Sequence, residues 1–84
     1  MSAIQLPWFG ADDLARLLSP GAATAAIRDA LRAGLDPALD PARGVVDLRS
    51  GQLLLMPSQT QSLAGIKVAT VASGNPDRGL PRVT

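Results

Sequence analysis

Apolar positions fall into five clusters along the chain, and their spacing changes from helical to strand-like near the middle. Ile4 to Phe9 is a short apolar run interrupted by Pro7, which suits an edge strand or an extended lead-in. Asp12 and Asp13 then stand where a first helical turn favours negative charge. Leu14, Leu17 and Leu18 follow at i, i+3 and i+4, predicting a short helix. Ser19-Pro20 marks a second start, with Ser19 as N-cap and Pro20 at the first helical position, where its missing N–H is harmless. Ala23, Ala26, Ile27, Ala30 and Leu31 make one thin, alanine-rich face, and Gly34 is placed to end the helix in the left-handed conformation.

Leu35 to Ala42 alternates Asp-Pro with small residues, and each residue before a proline is pushed out of the helical region, so this stretch reads as a loop. Val45–Leu48 and Gln52–Met56 flank Arg49-Ser50-Gly51, the signature of a hairpin. The unbroken Leu53–Met56 run predicts a strand covered on both faces, stopped by Pro57. Ala64–Ala72 has the β-branched content of a third strand, followed by a turn-rich loop from Gly74 to Pro81. The predicted fold is α+β: two short helices, then a mainly antiparallel three-stranded sheet. Such a sheet leaves an edge uncovered after its third strand, so the expectation is an incomplete piece of a larger protein or a subunit of an oligomer.

Composition narrows the chemistry. The 84 residues contain no cysteine, no histidine and no glutamate, leaving seven aspartates, seven arginines and Lys67. Disulfides, Cys/His metal sites, thiol nucleophiles and imidazole bases are excluded, and no metal site is expected. The net charge is +1, with both signs scattered and aromatics limited to Trp8 and Phe9, so nucleic acid is not an expected partner. The opening Met1–Pro7 has no charged n-region followed by an apolar core, and no run is long enough to span a bilayer, which makes the cytoplasm the default location and a membrane partner unexpected.

Lys67 interrupts Ala64-Gly65-Ile66-Lys67-Val68-Ala69-Thr70-Val71, where the other side chains are apolar or small. Desolvation of an ammonium there would lower its pKa, while a bound carboxylate would favour its charge, the tuning of an anion-binding or proton-transferring lysine. The competing reading is an edge-strand lysine that snorkels to water and protects the edge from aggregation. Arg43, just ahead of the first hairpin strand, could grip a carboxylate through two parallel hydrogen bonds, or be a surface arginine. In a simple meander Arg43 sits at the base of the first strand and Lys67 about 13 Å further along the third, both long enough to converge on a small anion. All seven aspartates have structural readings, Asp36, Asp40 and Asp77 in turns among them, and no Gly-x-Gly-x-x-Gly joins a strand to a helix.

The order of Leu6-Pro7-Trp8-Phe9, Pro41-Ala42-Arg43, Gly51-Gln52-Leu53-Leu54-Leu55-Met56-Pro57, Ala64-Gly65-Ile66-Lys67 and Asn75-Pro76-Asp77-Arg78-Gly79-Leu80-Pro81 resembles the amino-terminal segment of the ornithine cyclodeaminase and mu-crystallin family. The resemblance covers nearly the whole chain. It implies a homodimeric two-domain enzyme that uses NAD or NADP, with residues 1–84 forming part of the substrate-binding and dimerisation domain and the Rossmann domain lying outside this chain. On that basis the chain alone is expected to bind no cofactor and to be inactive. Arg43 would clamp the carboxylate of a small amino-acid or imino-acid substrate, and Lys67 would contact the same group and assist proton transfer as catalytic residue. The implied chemistry is deamination, cyclodeamination or imine reduction. Ornithine-specific members carry an acidic residue near the strand that here reads Leu53-Leu54-Leu55, and Arg82 stands where some members have a small or hydroxyl residue. The alternatives are a non-catalytic, crystallin-like module that binds a small ligand or dimerises, and a decayed remnant.

Overall fold

A computed structural model describes residues 4–84. The opening read for targeting signals thus lies partly outside the described residues. The chain divides into two compact units, Met1–Leu35 and Asp36–Thr84.

The first unit holds α1 (Ala11–Leu17) and α2 (Pro20–Arg32). Asp13 starts α1 by accepting the Gly10 N–H at 3.0 Å, and it also meets Arg16 in an exposed ion pair. Ser19 caps α2 as its sequence predicts, its Oγ accepting the Ala22 N–H at 3.1 Å with Pro20 in the first turn. Gly34 ends the helix with φ of 106°, a value that penalises any residue with a β-carbon. Residues 4–10 form no strand, so of the two readings of Ile4–Phe9 only the irregular lead-in applies.

The second unit is a meander: β1 (Gly44–Leu48), β2 (Gly51–Gln59) and β3 (Ala64–Val71), antiparallel throughout with β2 in the centre. The predicted α+β class and element order are those observed. Ahead of β1, Pro37–Leu39 form a short 3-10 turn, with the Asp36 carboxylate accepting the Ala38 N–H.

The sheet departs from the sequence reading by more than a residue in two places. Pro57 does not stop β2, which runs to Gln59. The pairing explains why. Gly44 pairs with Leu55 as the last rung of the β1–β2 ladder, whereas the β2–β3 ladder continues to Gln59↔Ala64. The Thr60 N–H bonds the Leu63 carbonyl, so even-numbered residues of β2 direct their polar backbone atoms toward β3 and odd-numbered ones toward β1. Pro57 is odd. Its missing donor falls on the side that β1 has already left, where proline is tolerated. The same fact ends β1, because the next hydrogen-bonded rung would pair Ala42 with Pro57, which has no N–H to give.

The second difference concerns the segment after β3. The uncovered outer edge expected there is in part covered by the chain itself. A 3-10 turn (Asn75–Arg78) and Gly79 at φ 73° turn the chain back, the Asn75 side-chain amide donating to the Pro81 carbonyl at 3.0 Å. Thr70 and Thr84 then exchange backbone hydrogen bonds at 2.7 and 3.0 Å, and the Ala72 N–H reaches the Arg82 carbonyl. Val83 bridges Val71 between them.

Ala69, on β3 beside Leu54, is the buried apolar residue among those described, at 6 % exposure. Leu53–Met56 is half-buried rather than covered on both faces, since β2 gains its shielding from lateral neighbours within a three-stranded sheet.

Candidate functional site

Side chains of an antiparallel sheet share a face when their residues are directly paired, and alternate along each strand. Val45, Leu54 and Ala69 therefore lie on one face, with Asp47, Gln52 and Val71 in the next row of that face. Gly44, Leu55 and Val68 form a row of the opposite face. One residue further toward this end of the sheet, Met56 pairs with Lys67 on the Val45–Leu54–Ala69 face, and Arg43 is the residue immediately before Gly44. The alternation that sets Gly44 on one face sets Arg43 on the other, level with Met56.

Met56 and Lys67 share a row, and the β1–β2 register continued one residue past Gly44 would bring Arg43 into it from the other side of Met56, two strand spacings or about 10 Å across the sheet from Lys67. The expected 13 Å axial offset is corrected by the register. It assumed strands aligned at their starts, but β2 overhangs β1, and β3 begins on that overhang, so the fifth residue of β3, Val68, draws level with the start of β1 and Lys67 with the position just before it.

Both cations are exposed, and among the described residues neither enters an ion pair. Lys67 is not enclosed by its aliphatic neighbours. Ile66 and Val68 alternate to the other face, and β3 has no strand beyond it at this row, because the returning segment pairs only from Thr70 to Ala72. Its surroundings on its own face are half-buried Met56 and buried Ala69. A flexible ammonium and a planar guanidinium carried at this end of the sheet suit one carboxylate, the guanidinium supplying a two-pronged contact and the ammonium a point charge.

Asp40, read from the sequence as a turn residue, has a larger part. Its carboxylate accepts the Ser58 hydroxyl, with Oγ 2.9 and 2.8 Å from Oδ1 and Oδ2, and also the Gln59 N–H at 3.4 Å. These contacts join positions 18 and 19 residues apart, across the part of β2 that β1 does not pair. The signal was present in the sequence as prolines at 41 and 57, which fall on adjacent rungs when the register is continued, but spacing alone does not give that register.

The other expected residues are structural. Asp47 is exposed, its carboxylate accepting Gln52 Nε2 at 3.3 Å within the hairpin. Among the described residues no group of three or more His, Cys, Asp or Glu side chains could hold a metal ion. No described helix is long and apolar enough to cross a membrane. A dinucleotide cradle needs a parallel strand–turn–helix unit, and the antiparallel order β1-β2-β3 contains none among the described residues. No protein-family model, curated protein or solved structure matches the chain.

Proposed function

We propose that this chain forms the carboxylate-binding part of an NAD(P)-dependent oxidoreductase of the ornithine cyclodeaminase and mu-crystallin type, a cytoplasmic homodimer acting on a small amino or imino acid. The single observation that supports this reading is the register, in which Lys67 pairs with Met56 one residue beyond the Leu55–Gly44 rung that Arg43 immediately precedes, with neither cation in an ion pair among the described residues. The resemblance in motif order supplies the reaction class. Arg43 donates two N–H groups to the substrate carboxylate, and Lys67 donates a third contact to the same group and assists proton transfer. The described residues, an antiparallel sheet with no strand–turn–helix cradle, do not fit a dinucleotide.

The test is a titration of the full chain with L-alanine and, separately, with L-alaninamide, which lacks the carboxylate, followed by amide chemical shifts. The expected result is saturable shifts at Gly44, Met56 and Lys67 with L-alanine alone, weakened by about tenfold or more in Arg43→Ala and in Lys67→Ala, since each removes a charge-assisted hydrogen bond. Equal shifts with the amide, or unchanged affinity in both variants, would overturn the proposal.

A further inference from the structure

We propose that Asp40 is a positioning residue for this anion site, holding Arg43 in the Lys67 row by standing in for the β-ladder that Pro57 interrupts. The inference rests on the carboxylate-binding reading above and deepens it.

The residue numbers of each β1–β2 rung sum to a constant, from Leu48↔Gly51 to Gly44↔Leu55. Continued without a bulge, that register sets Arg43 opposite Met56, Ala42 opposite Pro57 and Asp40 opposite Gln59. The Ala42–Pro57 rung is crippled by the proline, so residues 40–43 have no regular ladder to hold them against β2. Gln59, an odd-numbered residue, directs its N–H toward this empty side, where a backbone carbonyl would normally receive it. The Asp40 carboxylate receives it instead, and the neighbouring Ser58 hydroxyl adds a second attachment to the same group. Arg43 is thereby bracketed, by the Gly44–Leu55 rung on one side and the Asp40 tether on the other.

The tether also selects a face. Ser58 shares the Met56 and Lys67 face by alternation, so the carboxylate bonded to its Oγ anchors residue 40 at the margin of the face on which Lys67 lies. Untethered, a segment containing Pro41 and facing a proline would leave the sheet, and its guanidinium would sample many positions away from the ammonium. A direct electrostatic role would act in the opposite sense, because an aspartate three rows from the cations repels an incoming carboxylate.

The experiment separates these roles on the full chain with Asp40→Ala, Asp40→Asn and Ser58→Ala. The first readout is order, from ¹⁵N relaxation at Arg43 and amide exchange at Gly44 and Gln59. The expected result in Asp40→Ala is exchange at Gly44 and Gln59 faster by about tenfold, with loss of order at Arg43 and no change at Val46. Ser58→Ala has a smaller effect of the same kind. Asp40→Asn retains an acceptor for the Gln59 N–H and stays near wild type. The second readout is L-alanine affinity, expected to fall in Asp40→Ala, to be largely kept in Asp40→Asn, and to show no further loss when Asp40→Ala is added to Arg43→Ala. Unchanged order at Arg43 and Gly44 in Asp40→Ala overturns the inference, as does tighter L-alanine binding in both Asp40 variants, the mark of simple repulsion. If the wild-type chain does not bind L-alanine, the carboxylate-binding reading fails by itself, and the order readout still decides whether Asp40 holds Arg43.

Discussion

Gly51 approaches Val71 so closely that a β-carbon added to it would lie 1.7 Å from the Val71 carbonyl oxygen. The contact is backbone against side chain at the turn where β2 begins, and neither partner has a rotamer by which to retreat. Gly51→Ala should therefore push β2 and β3 apart at this end and destabilise the chain by about 1–3 kcal/mol or more. Urea denaturation would measure it, with Gly65→Ala as control, since a β-carbon at Gly65 meets nothing within 4 Å. Equal midpoints for the two variants would refute the steric account.

Pro57 supplies a gain-of-structure prediction. Pro57→Val restores a donor facing Ala42 and adds β propensity, so the β1–β2 ladder should lengthen by one hydrogen-bonded rung. The amide at position 57 would then exchange slowly, with stability changed by no more than about 1 kcal/mol. Exchange at the rate of an unstructured amide would show that the orientation assigned to this residue is wrong.

Asn75 holds the returning segment through its bond to the Pro81 carbonyl. Asn75→Ala should loosen residues 82–84 and raise amide exchange at Ala72 and Thr84 by about tenfold. Protection at Leu54, which faces Ala69 in the middle of the sheet, should persist. Uniform loss of protection across the sheet would instead mean that the return is integral to the fold.

Ser19 tests the helical unit alone. Removing its hydroxyl leaves the Ala22 N–H without its cap, and Ser19→Ala should cost about 1 kcal/mol of α2 stability. Circular dichroism at 222 nm during thermal unfolding would record it, and Ser19→Asp should restore the wild-type curve.

Anion binding by exposed Arg43 and Lys67 must be sensitive to salt. Between ionic strengths of about 0.01 and 1 M the screening length contracts from about 30 to about 3 Å, so L-alanine affinity measured by shift titration should fall steadily over that range. Affinity independent of salt would point to a contact that does not use these cations.

Much of the local structure was legible in residue order. Ser19-Pro20 and Gly34 bound α2 because capping and left-handed backbone are demands a single residue meets or fails. Arg49-Ser50-Gly51 marks the hairpin for the same reason, and Lys67 and Arg43 stand out as a cation interrupting an apolar run and a cation just ahead of one. Pro57 misled, because proline forbids only one hydrogen bond, and whether that bond is required depends on which neighbour the residue faces. The return of Arg82–Thr84 onto β3 carried no periodic signal, being three residues long and held by backbone atoms that every sequence supplies.

What the sequence determined alone is the set of elements, their order and the inventory of chemistry: helices before strands, no thiol or imidazole, and few cations near the strands. Those follow from constraints that act within a few residues of one another. Register was decided only in three dimensions, and with it the pairing of Met56 with Lys67 and the tether from Asp40 to Ser58 and Gln59. A slip of one residue would have sent every side chain of a strand to the other face, and what prevents it is the sum of many weak contacts between distant positions.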